Sequence, residues 1–233
     1  MTFLTLDKKG LVAAAFLGVA LLALAGFRPL LVSYMLYFLL LSAAVTVVGK
    51  RKKKAMKVYQ KSRGLENVLS NGLGPLIFAV MFFISTAYTN TALAGISLIG
   101  FGASVAAVTS DKFSSELGVL DGEPRDIFTM KTIKRGASGG ITAFGLAAGL
   151  FATLLISIPF SFMTFKVGAA FPYFHSVAFV ALIACTVGGF SGTLIDSVLG
   201  HFEERGLGNK FTSNFACSVV GGIIGFMILA LVI

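Results

Sequence analysis

The feature that most constrains this chain is a series of long apolar runs that recurs along nearly its whole length. An apolar run of about 20 residues can cross roughly 30 Å of hydrocarbon as a helix. The runs predict spans at residues 10–27, 29–48, 73–89, 91–109, 139–160, 175–196 and 214–233. We therefore predict an all-α fold, a polytopic transmembrane helical bundle of about seven spans that forms a single integral membrane domain over residues 1–233.

Composition excludes a water-soluble domain. Charged residues make up 12% of the chain and hydrophobic residues 56%, whereas soluble domains carry about 25% charged residues. Cys185 and Cys217 lie inside apolar runs without the spacing of a zinc site, so we interpret them as small packing residues. The partner that this composition implies is the lipid bilayer.

The distribution of basic residues predicts that the N-terminus is cytoplasmic. Of the 19 Lys and Arg residues, 17 fall on one side of the predicted spans, and Arg28 and Lys166 fall on the other. Positive charge near the ends of spans resists translocation, so the richer side is the cytoplasmic one. All 10 acidic residues also lie on or next to that side, although acids contribute little to orientation.

Two cytoplasmic loops carry most of the polar chemistry, a basic loop at residues 49–72 and a candidate active-site loop at 110–138. We interpret the lysine-rich run from Lys50 as an anchor that attracts anionic lipid headgroups. Asn67 and Asn71 are i, i+4 neighbours on a predicted short helix, so their amides could face one ligand. The basic residues lie against a membrane face without interleaved stacking aromatics, which argues against nucleic acid as a partner.

Acids, bases and glycines on this side together indicate a phosphate and metal site. Asp111, Glu116 and Asp196 lie at predicted helix ends, and Gly139 and Gly140 precede a helix whose N-terminus suits an anion. Carboxylates bind Mg²⁺, and Mg²⁺ with basic side chains neutralises phosphates. Asp196 lies in the last turn of an apolar span, where a charge is costly and usually functional. The chain has no GxxxxGK[ST] motif, so a Walker-type nucleotide site is excluded.

Helix geometry leaves two possibilities for the acids of the 110–138 loop. If Asp111 and Glu116 belong to one continuous helix, their side chains point about 140° apart. Either the helix ends between them, or one of the two faces the site. Glu116 could also form a surface ion pair with Lys112, its i−4 neighbour.

Five blocks stand out between residues 63 and 215: RGLENVLSNG (Arg63 to Gly72), DKFSSELG (Asp111 to Gly118), PRDIFTMKTIKRGASGGIT (Pro124 to Thr142), GGFSGTLIDSVLG (Gly188 to Gly200) and SNF (Ser213 to Phe215). Taken in order, these blocks resemble those of the phytyl-phosphate kinase family of integral membrane proteins, which includes transmembrane protein 19-like members.

The resemblance implies CTP-dependent phosphorylation of an isoprenyl monophosphate, such as phytyl or geranylgeranyl phosphate, to the diphosphate at the cytoplasmic membrane surface, with Mg²⁺ as cofactor. By position it implies that Asp111, Glu116 and Asp196 are catalytic and bind the magnesium ion. It implies a substrate- and nucleotide-binding set made of Arg63, Asn67, Asn71, Arg125, Thr129, Lys131, Arg135, Ser138, Gly139, Gly140, Ser197 and Asn214.

Other activities remain open at this point. Within enzymes, the alternatives are a polyprenol kinase-like activity and a lipid cytidylyltransferase. A small membrane transporter is the alternative from another class. Transporters tend to place polar groups near the bilayer midplane on discontinuous helices, whereas the acids here crowd one side.

Overall fold

The structure is a computed structural model that describes residues 6–24, 29–58, 64–167 and 178–232. Within these ranges the chain forms eight helices and one two-stranded sheet. In chain order they are α1 (Lys8–Leu24), α2 (Pro29–Val47), α3 (Lys50–Ala55), α4 (Leu65–Ala87), α5 (Thr91–Gly118), β1 (Arg125–Asp126), β2 (Gly140–Ile141), α6 (Ala143–Val167), α7 (Ala178–Glu203) and α8 (Lys210–Ala230).

Six of the described helices are long and apolar enough to cross a membrane, namely α2, α4, α5, α6, α7 and α8. Helix α1 corresponds to the first predicted span and has 17 residues. The predicted all-α transmembrane bundle is confirmed, and the number of spans is close to the predicted number. Hydropathy alone located these helices because each must present apolar side chains to lipid along its length.

The helix boundaries extend further into the polar segments than predicted. Helix α4 begins at Leu65, so the last third of the predicted 49–72 loop is helical, and the lysine run forms the short helix α3. Helix α5 continues to Gly118, so the first part of the predicted 110–138 loop is also helical. Hydropathy marks where the lipid ends, whereas a helix continues for as long as its neighbours pack against it.

Helix α5 forms the centre of the bundle, and 78% of its membrane-spanning window is buried. Helices α4, α6, α7 and α8 pack around it. A Cβ atom added to Gly192 of α7 would lie 2.5 Å from the carbonyl oxygen of Cys217, and one added to Gly225 of α8 would lie 2.3 Å from the Cβ of Ala103. Small residues let membrane helices approach closely, so the recurring glycines serve packing in α7 and α8.

Successive membrane helices run in opposite directions, and their polar ends meet at one end of the bundle. Helices α2, α5 and α7 end there, and α4, α6 and α8 begin there. We call this the charged end; it also carries α3 and the 119–142 loop, in which β1 and β2 pair antiparallel with Asp126 opposite Gly140. An ion pair between Lys53 and Glu116 joins α3 to α5, 63 positions apart in the chain, and one between Lys210 and Asp196 joins the consecutive helices α7 and α8.

Candidate functional site

A cavity of about 500 Å³ lies at the charged end and extends into the bundle. It is lined by residues of α1 to α5, α7, α8 and the 119–142 loop. Ten of the residues that the sequence singled out line this one cavity: Asn67, Asn71, Asp111, Glu116, Ser138, Gly139, Gly140, Asp196, Ser197 and Asn214. The structure therefore brings together residues that lie more than 100 positions apart in the chain.

Lys210 and Asp196 form the polar centre of the cavity on the α7 and α8 side. The amine of Lys210 donates to both carboxylate oxygens of Asp196, at 3.1 and 2.9 Å. Asp196 is 6% exposed, and Asp111 of α5 also interacts electrostatically with the amine. Lys210 is the first residue of α8, where the helix dipole disfavours a positive charge. The two aspartates compensate for this position, so the amine is held among carboxylates although the Lys210 side chain is half exposed.

Asn214 lies one turn after Lys210 and lines the same cavity. The residue is 3% exposed, and within the described residues its side-chain oxygen has no hydrogen-bond partner. A buried polar atom without a partner costs about 1 to 3 kcal/mol. A ligand in the cavity that donates a hydrogen bond or coordinates this oxygen would remove that cost.

Lys53 and Glu116 form a second polar centre on the α3 side of the cavity. The amine of Lys53 lies 2.5 Å from a carboxylate oxygen of Glu116, and Lys53 is 1% exposed. Neighbouring Lys52 donates to the carbonyl of Leu120, which helps to dock α3 against the end of α5. The interpretation of the lysine run as a lipid anchor is therefore wrong for Lys53, which faces the cavity and not the lipid headgroups.

The three predicted carboxylates do not form one ligand group. Helix α5 is continuous through Asp111 and Glu116, so their side chains leave the helix in different directions. Asp111 lies near Lys210, and Glu116 lies against Lys53. Both still line the cavity, because it is wide enough to reach both sides of α5. Within the described ranges, no three His, Cys, Asp or Glu side chains are grouped closely enough to hold a metal ion. The prediction of one ion held by all three acids is corrected accordingly.

The basic residues of the 119–142 loop lie elsewhere. Among the described residues, those that line the cavity do not include Arg125, Thr129, Lys131 or Arg135. Arg125, Thr129 and Lys131 are exposed, the Thr129 hydroxyl donates to Asp126, and Arg135 donates to the carbonyl of Val119 at 2.9 Å. Their predicted role in binding the substrate and nucleotide has no support in this arrangement, since their side chains contact the loop itself or are exposed to solvent.

Among the described residues, the cations that line the cavity are lysines of the helices and not the basic residues of the 119–142 loop. Arg63 lies outside the described residues. Lys53, Lys112 and Lys210 line the cavity. Lys53 and Lys210 are not among the site residues that the sequence predicts. A signal for Lys210 exists, because it precedes Asn214 by one helical turn and so lies on the same face of α8. Lys53 carries no such signal, because nothing local distinguishes it from the lysines around it.

Gly139 and Gly140 line the cavity, but the structure gives Gly139 a packing reason. Gly139 has a φ of 75°, and a Cβ atom there would lie 2.4 Å from the backbone nitrogen of His201. The N–H of Ser138 donates to Glu204 at 2.8 Å, and the Thr142 side chain accepts from the N–H of Gly145 at the start of α6. The expected cluster of backbone donors for a phosphate is therefore partly used inside the protein.

A buried pair of Asp126 and His201 fastens the 119–142 loop to α7. The carboxylate of Asp126 accepts from the N–H of Thr129 at 2.8 Å and pairs with the His201 imidazole. The edge of the Phe128 ring packs against the imidazole, with the ring centres 4.7 Å apart. The backbone N–H of Thr129 and the imidazole hold the pKa of Asp126 well below its usual range.

This pair predicts a pH dependence of stability. Because folding lowers the pKa of Asp126, ionisation of this carboxyl stabilises the folded state. The stabilisation is fully present above the ordinary pKa of 3.8 and is progressively lost as the pH falls below it. We expect Asp126→Asn to lower the Tm in detergent at neutral pH, and the difference from the wild type to shrink as the sample is acidified below that pKa. A constant Tm difference across the acid range would contradict the assignment; Asp121→Asn, on the exposed surface, is the control.

The deeper part of the cavity is apolar. We call it the apolar extension; it is lined by Ala14, Leu17, Gly18, Leu21 and Leu22 of α1, by Val32, Met35, Leu36, Phe38 and Leu39 of α2, and by Val105 and Val108 of α5. From Val32 to Ala43 the lining covers about 16 Å along α2. The cavity therefore joins a charged region at the end of the bundle to an apolar region between membrane helices.

Comparison with known proteins gives the family. The sequence matches the family described as integral membrane protein DUF92 over residues 2–226. A protein of Methanocaldococcus jannaschii named as an uncharacterized membrane protein is 38% identical over 226 residues, which cover 96% of this chain and 85% of the relative. Protein PGR of Arabidopsis thaliana is 34% identical over 215 residues, which cover 84% of this chain and 71% of that protein.

A membrane protein of Synechocystis is 28% identical over 188 residues, which cover 79% of this chain and 66% of that protein. No solved structure matches the chain. The match to the family covers nearly the whole chain and includes both polar centres and the apolar extension. This chain is therefore a member of the integral membrane protein family DUF92.

Proposed function

We propose that this protein is a membrane kinase that transfers the terminal phosphoryl group of CTP to an isoprenyl monophosphate, giving a prenyl diphosphate and CDP. The observation that carries the proposal is the continuity of the cavity between the charged end and the apolar extension. A prenyl monophosphate has the same division, an apolar chain that prefers the bilayer and a headgroup that requires positive charge. The resemblance of the five sequence blocks to the phytyl-phosphate kinase family supports the same reaction.

The reaction needs positioning and charge stabilisation more than covalent chemistry. An oxygen of the prenyl monophosphate attacks the terminal phosphorus of CTP, and the bond from that phosphorus to the bridging oxygen breaks, with CDP as the leaving group. Lysine amines around the cavity, from Lys53, Lys112 and Lys210, would compensate for the phosphate charges. The Asn214 oxygen and the amides of Asn67 and Asn71 would orient the two substrates.

Asp111 and Asp196 fit a magnesium ion that substrate phosphates also bind. Mg²⁺ prefers oxygen ligands and is often bound by one or two carboxylates together with phosphates. Both carboxylates line the cavity near Lys210, and so does the Asn214 oxygen, which has no hydrogen-bond partner among the described residues. When bound, the ion would neutralise phosphate oxygens of the nucleotide. Asp196 would exchange at least part of its contact with Lys210 for that role.

The test is an assay of products with the purified protein in lipid nanodiscs. Labelled CTP and geranylgeranyl phosphate, with and without Mg²⁺, should yield CDP and geranylgeranyl diphosphate. Release of pyrophosphate with transfer of CMP would instead indicate a lipid cytidylyltransferase, and phosphorylation of free prenol alone would indicate a polyprenol kinase. Absence of any nucleotide turnover, together with substrate uptake into proteoliposomes that survives Asp196→Asn, would favour a transporter.

A further inference from the structure

Two polar side chains lie where the apolar extension meets the charged end. They are the amine of Lys53 and the hydroxyl of Ser42, and both line the cavity. Lys53 is 1% exposed and Ser42 is 7% exposed. In the part of the chain that the structure describes, the Ser42 hydroxyl oxygen has no hydrogen-bond partner. A buried hydroxyl that faces a cavity without a partner indicates a polar group of a ligand at this point.

The order of side chains along α2 and α3 follows the shape of an amphiphile. Apolar residues from Val32 to Leu39 line the extension, Ser42 follows one turn later, and Lys53 lies in the helix after α2. A ligand whose apolar chain lies between α1 and α2 would place its headgroup at the hydroxyl and the amine. The lining of the cavity therefore changes from apolar to polar at the depth where the apolar chain of such a ligand joins its headgroup.

We propose that Lys53 and Ser42 form the subsite for the phosphate headgroup of the prenyl acceptor, separate from a nucleotide subsite around Lys210. This inference rests on the proposed function for the identity of the two substrates. Its own content is the division of the cavity: the acceptor binds on the α3 side and the donor binds on the α8 side.

Exposure of the two lysines supports this division. The side chain of Lys210 is 50% exposed, whereas that of Lys53 is 2% exposed. A soluble nucleotide arrives from water and needs an accessible cation. A lipid substrate enters from the bilayer and delivers its headgroup to a cation that water does not reach. Lys53, beside the apolar extension, meets the second requirement, and Lys210 meets the first.

The pairing of Lys53 with Glu116 is compatible with phosphate binding. A carboxylate at 2.5 Å compensates the charge of the buried amine and fixes its position. A phosphate monoester carries about −1.5 to −2 charges near neutral pH, more than the single charge of a carboxylate. The lysine amine has three N–H donors, so the headgroup can bind to it beside Glu116, and Glu116 acts as the positioning residue of that amine.

Direct binding tests the inference without any turnover. The protein is placed in nanodiscs of phosphatidylcholine, and the Kd of labelled geranylgeranyl phosphate is compared with those of geranylgeraniol and inorganic phosphate. The double variant Lys53→Met with Glu116→Gln removes both charges of the buried pair together, so neither member of the pair is left as an isolated charge. Arg51→Gln is the matched control, because it removes an exposed positive charge of α3 and Arg51 is not among the described residues that line the cavity.

We expect the double variant to bind geranylgeranyl phosphate at least about tenfold more weakly, since a charge-assisted hydrogen bond is lost, and to bind geranylgeraniol as the wild type does. Ser42→Ala should weaken phosphate binding about threefold, and Arg51→Gln should leave it unchanged. A double variant that binds the phosphate within about twofold of the wild type, or that loses affinity for the alcohol equally, would overturn the inference. If the double variant does not fold, Ser42→Ala decides, and unchanged phosphate affinity overturns it.

Two further measurements separate this inference from the proposed function. Binding of labelled phosphatidic acid that depends on Lys53 and that geranylgeranyl phosphate does not displace would assign the subsite to a membrane lipid and overturn its role for the acceptor. Binding that depends on Lys53, in a protein without CTP turnover, would retain the subsite and remove the kinase. CTP turnover in the wild type, with unimpaired phosphate binding by the double variant, would retain the kinase and remove the subsite.

Discussion

We expect Asp196→Asn to lower CTP-dependent formation of prenyl diphosphate by a factor of about 10² to 10³, the range for loss of one charge-stabilising group in an active site. Asparagine has nearly the same shape as aspartate but lacks the negative charge that holds the Lys210 amine at 2.9 Å. It would also weaken any magnesium site that the carboxylate shares with Asp111. The rate of CDP release at saturating substrate measures the effect.

The variant should still fold, so the loss of activity can be assigned to the site. The Lys210 side chain is half exposed and also interacts with Asp111 and Glu203, which keep the amine compensated. A single peak in size-exclusion chromatography and a Tm near that of the wild type would establish this. Asp121→Asn removes one exposed carboxylate at the same end of the bundle and serves as the control. Activity of Asp196→Asn within about tenfold of the wild type would remove Asp196 from the mechanism.

The second large effect concerns stability at the contact between the 119–142 loop and α7. We expect Gly139→Ala to destabilise the protein by about 3 kcal/mol, from the left-handed backbone and from a steric overlap. A Cβ atom at Gly139 would lie 2.4 Å from the His201 nitrogen, and the φ of 75° is unfavourable for alanine. Thermal or denaturant unfolding in detergent measures the change.

Two other glycines distinguish the backbone contribution to this loss of stability from the steric contribution. Gly206 has a φ of 82° but nothing within 4 Å of an added Cβ atom, so Gly206→Ala should cost only the backbone term, about 1 kcal/mol. Gly200→Ala lies in a helix, where alanine normally stabilises by up to about 1 kcal/mol. Here its Cβ would lie 2.3 Å from the nitrogen of Gly139, so we expect destabilisation instead. Equal losses for Gly139→Ala and Gly206→Ala would show that the loop does not contact α7 this closely.

Much of the fold was predictable because a membrane span is a local property. The run that became α8 was visible as apolar sequence, and the acids near Asp111 and Asp196 marked the polar end of the bundle. The ends of α4 and α5 were not predictable from hydropathy, because their polar turns are held by packing against other helices. Asn67 and Asp111 were correctly grouped at one end, and the structure places both in one cavity.

The cations of the cavity show where local sequence fails. The 119–142 loop offered Arg125, Lys131 and Arg135 beside a glycine-rich helix start, and that pattern predicted phosphate ligands. In the structure Arg125 and Lys131 are exposed and Arg135 bonds to a loop carbonyl. Lys53 lies in a run of lysines that suggested a lipid anchor, yet it is buried against Glu116, which lies 63 positions away in the chain.

The sequence by itself determined that the protein lies in a lipid bilayer, that its fold is all-α, and at which end of the bundle its charged residues collect. These follow from the length of apolar runs and from the spacing of charged residues, which hydrocarbon and water sort without reference to the rest of the chain. Only the tertiary structure decided which charges share a cavity and which pair with each other. A lysine's burial and partner depend on helices brought together by close packing of small residues, so no local pattern contains that information.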